Sequence, residues 1–506
     1  MSPKNIQGNM KVAARKSEIS EIQVPVILIG VSEEAREDGL VQGIQEPLRN
    51  MIEDVVSLGD FKGKKGETSL IYTRGAIPAE RVLLVGLGRP EKLTVEEVRK
   101  TLGAASRKAR DLGVKKIGVS LDHLSRGTLD VYDVAEAAVE SIVMGSYQNV
   151  HYQTKDLDKF KQFEELVVFS AEADFKEVKK RASSGKVIGD AVNLCRTLAW
   201  RPGNYVTPTR LAEEAERLEE LGVKTKVFDR EEAEKLGLGS FITVAKGTDE
   251  PPKFIVMEYG AEKKGADTVA LIGKGITFDS GGISLKSGSG MGAMKGDMTG
   301  GAVVIAAMEA IAKLGIDLHV VGIVPATDNM PSGKAYHPGD VIKSYSGLTV
   351  EVISTDAEGR LILNDALTYA AKNYEPTAMF DFATLTGSIS VALGEHAIGY
   401  FANDDSVAER LEEASKRSGE AIWRMPLWEA YDKQLESDVA DFKNTGGRPG
   451  GAITAARFLS KFVMDVPWAH MDIAGVDEQK SDEGYNPKGS RGPAVRLIID
   501  VIRNWS

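Results

Sequence analysis

The stretch TVALIGKGITFD, residues 268–279, is an apolar run broken by one lysine, Lys274, and closed by one aspartate, Asp279. Short apolar runs bounded by glycine read as strands buried on both faces, the habit of parallel sheets covered by helices. FIVMEYG (254–260), LHVVGIVPATDN (318–329), LTVEVIST (348–355), TAMFDFATLTG (377–387) and WAHMDIAG (468–475) read in the same way. Helical spacing over residues 299–314, 360–373, 405–418, 451–463 and 490–504 alternates with them. This rhythm predicts an α/β unit whose ligand sits outside the carboxyl ends of its strands.

Toward the N-terminus the rhythm repeats with shorter elements. VPVILIGV (24–31), SLIYTRG (69–75), RVLLVGLG (81–88), KKIGVSLD (115–122) and LVVFSA (166–171) read as strands, and residues 97–112 and 133–147 as helices. Residues 173–201 form one charge-studded helical stretch that ends where Pro202 and Gly203 punctuate the chain. The expected division is a smaller N-terminal α/β domain over 1–175, a linking helix over 176–202 and a larger C-terminal α/β domain over 203–506. The larger domain is expected to hold a central mixed, mainly parallel sheet flanked by helices. A length of 506 residues accommodates two large domains or three of average size.

Composition narrows the function. The chain has 42% apolar and 27% charged residues and a net charge of −11, which disfavours general binding to nucleic acid or anionic membranes. Cys195 is the only cysteine, so neither an intrachain disulfide nor a thiolate metal site can form, and a reducing, cytoplasmic setting fits. The run at 24–31 is too short to span a bilayer.

Familiar catalytic strings are missing. No histidine is followed by glutamate, so H-E-x-x-H is absent, and there is no G-x-S-x-G elbow. The Gly-Lys pairs at 63–64, 185–186, 273–274 and 333–334 lack the following Ser or Thr of a phosphate loop. Gly86-Leu-Gly88 and Gly273-Lys-Gly275 lack the third glycine of a dinucleotide fingerprint.

What remains is a set of carboxylates and lysines at strand ends. GKGITFDSGGISLK (273–286) carries Lys274, Asp279 and Lys286; MKGDMTGGA (294–302) carries Asp297; STDAEGRLILNDAL (354–367) carries Asp356, Glu358 and Arg360. Alone, Asp297 reads as a helix cap, and D-x-E-x-R as a solvated turn or as an extended segment aiming three side chains to one side. Taken together, four carboxylates at strand ends would repel one another unless cations held them. Hard oxygen donors suit Mg²⁺, Mn²⁺ or Zn²⁺. A lysine among them either stays an ammonium or loses its proton and becomes a ligand, and spacing leaves both open.

STDAEGRL resembles the NTDAEGRL signature of the leucyl aminopeptidase family, the M17 cytosol aminopeptidases. The likeness extends through GKGITFDSGGISLK, MKGDMTGGA, DFATLTG and NTGGRPGG (444–451), across most of residues 190–506. The resemblance implies a catalytic C-terminal domain, hexameric assembly, and a metal-dependent aminopeptidase that removes Leu or other large apolar N-terminal residues from peptides. It implies two divalent metal ions per subunit, Mn²⁺ or Zn²⁺, held by Lys274 as a neutral amine, by Asp279 and Glu358 as bridging carboxylates, and by Asp297 and Asp356. Lys286 matches the residue that polarises the scissile carbonyl, and Arg360 the one that holds a bicarbonate acting as general base. Thr384 and Gly387 resemble substrate contacts, and Met294 a wall of the specificity pocket. Ser354, where the signature has Asn, is the visible departure.

Two rival functions remain. A two-metal phosphoesterase would use the same donor set. A DNA-binding regulatory role could use the lysines at 62–65 and 177–181, against which the net charge of −11 weighs. His470, in an alternating strand, and His337, beside Pro338, are expected to be structural.

Overall fold

The computed structural model describes residues 10–33, 44–125, 129–149, 152–263 and 265–505. The chain forms two compact units: residues Met1–Asn193 with Gln479–Gly489, and residues Leu194–Glu478 with Ser490–Ser506.

The first unit contains β1 (Lys11–Lys16), β2 (Val26–Ser32), α1 (Leu48–Ser57), β3 (Thr68–Tyr72), β4 (Arg81–Gly88), α2 (Val95–Asp111), β5 (Lys116–Ser120), α3 (Asp122–Ser125), α4 (Val131–Gly145) and β6 (Glu165–Ser170). Its six strands run in the order β1-β6-β5-β2-β4-β3. All neighbours are parallel except β3 with β4. Strand alternation gives the sheet two cores: Val26 and Leu28 of β2 face one, with Val98 and Leu102 of α2, while Ile27, Ile29 and Val31 face the other, with Leu48 and Ile52 of α1. The boundary between the units falls within α5 (Phe175–Trp200).

The second unit continues with α6 (Pro208–Glu216), β7 (Lys224–Phe228), α7 (Arg230–Leu236), α8 (Gly239–Val244), β8 (Lys253–Tyr259), β9 (Thr268–Gly273), β10 (Gly275–Asp279), α9 (Thr299–Leu314) and β11 (His319–Asn329). Then follow β12 (Val341–Lys343), β13 (Thr349–Glu351), α10 (Gly359–Tyr374), β14 (Ala378–Ala383), α11 (Gly387–Leu393), β15 (Ile398–Ala402) and α12 (Asp405–Ser418). Last come β16 (Ile422–Arg424), β17 (Phe442–Lys443), α13 (Gly451–Leu459), β18 (Trp468–Asp472) and α14 (Val495–Arg503). The main sheet has the order β16-β15-β18-β14-β9-β11-β8-β7, with β10 paired to β11. Its centre, β18-β14-β9-β11, is parallel, and antiparallel pairs stand on either side, β15 on β18 and β8 on β11. Helices α9 and α10 both pack on β9 and β11. The result is the expected α/β fold with a mixed, mainly parallel sheet.

Three local expectations are corrected. TVALIGKGITFD is not one strand: it breaks at Lys274, whose backbone N–H donates to Phe382 O (3.0 Å) and whose carbonyl accepts from Gly301 N (2.8 Å). LTVEVIST yields only β13, in a small sheet with β12 and β17, because Asn444 takes over from residue 353 onward. Its Oδ1 accepts from Ile353 N (2.8 Å) and its Nδ2 donates to Ser354 O (2.7 Å), satisfying backbone groups that a strand would have paired. The last helix starts at Val495, five residues late, since Ala494 stands at φ 63° and cannot belong to a right-handed helix.

Candidate metal centre

Each charged segment enters the site from the carboxyl end of a strand or the start of a helix. Lys274 occupies the break between β9 and β10, Asp279 ends β10, and the turn through Gly281 and Gly282 returns Lys286, whose N–H donates to Ser280 O (2.9 Å). Asp297 closes a 3₁₀ turn over Met291–Gly296 and is not the cap of α9, whose N-cap is Met298. Its side chain turns instead to Lys274 and to Thr384, whose Oγ1 donates to Asp297 Oδ1 (2.8 Å).

The extended reading of D-x-E-x-R does not hold. Glu358 is the residue preceding α10 and is already in helical conformation (φ −76°, ψ −37°), and Arg360 lies in the first turn. The three side chains therefore do not line one side together, and Arg360 parts from the two acids. Asp356 and Glu358 still meet Asp279, with one carboxylate oxygen from each of the three within 4.8 Å of the others. Arg360 is directed to the 444 loop, its Nη1 donating to Asn444 O (2.8 Å), and its Nε is buried with no hydrogen-bond partner among the described residues.

Two lysines hold the acids together. Lys274, 4% exposed, pairs with Asp297 (2.7 Å) and Glu358 (2.8 Å), and its Nζ donates to Thr384 O (3.1 Å). Gly359 lets this happen, because a Cβ there would lie 2.7 Å from Lys274 Nζ and 2.6 Å from its Cε. Lys286, 25% exposed, pairs with Asp279 (2.7 Å) and with Asp356. The deep lysine belongs to one pair of acids and the shallow lysine to the other.

The electrostatics follow from burial and crowding. Burial raises the Asp279 carboxyl to about 6, with Glu358 adding to the rise and the lysines opposing it. Burial also lifts Asp297 well above the usual carboxylate range, and Asp356 above its ordinary value. Burial works against ionised Glu358, yet Lys274 and Lys286 hold it below its ordinary value. Burial likewise disfavours the Lys274 ammonium, but Asp297, Glu358 and Asp279 outweigh it and the pKa rises, so without other cations Lys274 keeps its proton. Arg360 is lowered to about 10 by burial, against the pull of Glu358 and Asp472.

The weaker candidates fall as follows. Thr384 touches the cluster through both its hydroxyl and its carbonyl. Met294 is half-buried in the turn before Asp297, and Gly387 begins α11 with open space where a Cβ would stand. His470 is buried, with Nδ1 2.6 Å from Asp381 Oδ1, and His337 lies exposed beside Asp340. Among the described residues no helix is long and apolar enough to cross a membrane.

Sequence reasoning passed over Asn329 and Thr355. Asn329, the last residue of β11, is fully buried, and its Nδ2 donates to Asp279 Oδ1 (2.8 Å) and Thr355 O (3.0 Å). Its place at the carboxyl end of a central strand was the available signal.

A set of four clustered carboxylates, paired among the described residues with two ammonium groups, fits hard divalent cations by charge and donor type. The chain matches the catalytic domain of the cytosol aminopeptidase family over residues 193–499 and the N-terminal domain of that family over residues 28–156. A probable cytosol aminopeptidase of Roseiflexus castenholzii is 44% identical over 475 residues, 93% of this chain and 96% of the relative. One from Chlorobium limicola is 41% identical over 514 residues, 98% of this chain and 100% of the relative. Among solved structures, a mutant tomato leucine aminopeptidase has a TM-score of 0.86 at 32% identity, covering 98% of this chain and 96% of that one. The bottromycin maturation enzyme BotP in complex with Mn has a TM-score of 0.84 at 31% identity, covering 95% and 99%.

Proposed function

Since this chain belongs to the cytosol aminopeptidase family, metal-dependent hydrolases that remove N-terminal residues from peptides, we propose that Lys274, Asp279, Asp297, Asp356 and Glu358 hold two divalent cations, Mn²⁺ or Zn²⁺. The observation that carries this reading is the convergence of Asp279, Asp356 and Glu358 oxygens within 4.8 Å. Mn bound to BotP, a structural neighbour, supports the choice of ion. Cations at such a site supply Lewis acidity toward a carbonyl and lower the pKa of a water molecule. Asp279 and Glu358, which accept from or approach the same Asn329 amide, would hold the cations together with Asp297 and Asp356. Dications would replace the charge now supplied by Lys274, which would then give up its proton and ligate as an amine.

The remaining residues act on the substrate. Lys286, a quarter exposed and held between Asp279 and Asp356, presents an ammonium to the carbonyl oxygen as negative charge develops there. Arg360 offers a planar fork with Nε unpaired, suited to a carboxylate-shaped anion such as bicarbonate, which would take the proton of the attacking water. Met294 would wall the pocket for a first side chain such as Leu, while Thr384 and Gly387 would border the peptide backbone. Hexameric assembly and a cytoplasmic setting complete the proposal. Supplying purified protein and Mn²⁺ with an amino-acid anilide and, separately, a phosphate monoester tests it: hydrolysis of the anilide alone is expected, and hydrolysis of the ester alone would favour the phosphoesterase.

A further inference from the structure

Asn329 stands where three segments of the site meet, and it brings no charge to them. Its amide nitrogen has two hydrogens and lies among three oxygens: Asp279 Oδ1 at 2.8 Å, the Thr355 carbonyl at 3.0 Å and Glu358 Oε2 at 3.5 Å. The first acceptor belongs to the end of β10; the other two flank the approach to α10. Asn329 also holds the next residue of the β10 segment through its own backbone, since its carbonyl accepts from Ser280 N (3.1 Å) and Ser280 Oγ (2.7 Å). The β10–β11 register slips between Ile276 and Asp279, and the Asp279–Asn329 pairing re-establishes it at the point where the acid must be aimed.

The surroundings leave the amide one orientation. Its Oδ1 is buried with no hydrogen-bond partner among the described residues, so its donors alone fix it. Gly282, at φ 65°, lies against that oxygen, and a Cβ there would come within 2.8 Å of it. Thr355 is stitched to the same turn, its Oγ1 donating to Gly281 O (2.6 Å) and accepting from Ser284 N (2.8 Å), while Tyr336 Oη also donates to the Thr355 carbonyl (2.9 Å). A carboxylate at 329 would set like charge against Asp279 and Glu358, and an apolar side chain would leave three buried acceptors facing hydrocarbon. A neutral donor is the group that can draw both acids together.

We propose that Asn329 is a positioning residue whose carboxamide sets the separation between Asp279 and the Thr355–Glu358 segment, and so the affinity of the site for its divalent cations. This rests on the metal-centre reading above. Protein stripped with a chelator is titrated with Mn²⁺ by calorimetry, as wild type, as Asn329→Leu, which keeps the side-chain shape without the donor, and as Asn329→Ala, which removes bulk without introducing a clash. Thermal unfolding identifies the variants that remain folded. Loss of an outer hydrogen bond to a ligand costs about 10–100-fold in metal affinity, and a weakening of that size in a folded variant is expected. A folded variant whose Mn²⁺ affinities stay within about threefold of wild type overturns the inference, because a space-filling role would leave them unmoved. Wild-type protein that binds no Mn²⁺ would instead overturn the metal-centre reading itself.

Discussion

The two sheets share an architecture and differ at their rims. In the first unit the carboxyl ends of β5 and β6 carry Asp122, whose carboxylate accepts from Ser170 Oγ and Ala171 N, and beside it Ser120 Oγ shares a hydrogen bond with His123 Nδ1 (2.6 Å). One acid is met by neutral donors. In the second unit the end of β10, the turn before α9 and the start of α10 bring four acids together, and two ammonium groups lie among them beside neutral donors such as the Asn329 amide and the Thr384 hydroxyl. Parallel strands aim their ends at a common crevice in both cases. What is placed there, not the fold, separates a closed rim from a site.

That contrast can be broken most forcefully at Glu358. Replacing Glu358 or Asp356 with Ala should cut peptide hydrolysis by about three powers of ten with the fold retained, as judged by circular dichroism, since several kcal/mol of transition-state stabilisation depends on an intact donor set. Turnover near wild type at saturating Mn²⁺ would remove these residues from the site. Lys286→Ala should lower kcat by about 10²–10³-fold, the cost of one donor to a developing oxyanion, while metal content is unchanged. Loss of metal in that variant would make the lysine structural.

A gentler probe is pH. Asp279, raised to about 6 by burial and Glu358, must shed its proton to ligate, and ligation by Asp297 and Lys274 displaces protons as well, so Mn²⁺ affinity should rise with pH across the neutral range and most steeply below about pH 6. For the metal-free protein the sign reverses: the folded state holds that proton more tightly than the unfolded chain, so this group's contribution to stability declines as pH rises toward about 6. A flat affinity profile from pH 5 to 7 would contradict the assignment. The smallest effect belongs to the other rim. Asp122→Ala should leave kcat within about twofold and reduce stability by about 1–3 kcal/mol, the cost of stranding buried donors, measured by denaturant unfolding.

The central strands were legible because burial on both faces makes continuous apolar runs, as in VILIGVS of β2 and TVALIG of β9. The edge strands β1 and β7 were not. KVAARK and KTKVF carry lysines on exposed edges, which protect against pairing with other chains and dilute the apolar signal. At the site, the charged residues announced themselves as charge at strand ends. Their mutual geometry did not: Asp356, Glu358 and Arg360 are arranged by a turn that Asn444 stabilises from about 90 residues away, a contact no local pattern encodes. Asn329 was hidden for a related reason, since a lone asparagine ending a strand looks like the start of a turn until its three acceptors are in place.

The most direct measurement is activity against metal occupancy. Chelator-stripped protein is titrated with Mn²⁺ while the release of N-terminal leucine from a peptide and the number of bound ions are followed in the same samples. The expected result is no hydrolysis at zero occupancy and a rise to a plateau as occupancy approaches two ions per chain. Hydrolysis at full rate by the stripped protein, or full occupancy without hydrolysis, would contradict the claim that these converging acids form a catalytic metal centre.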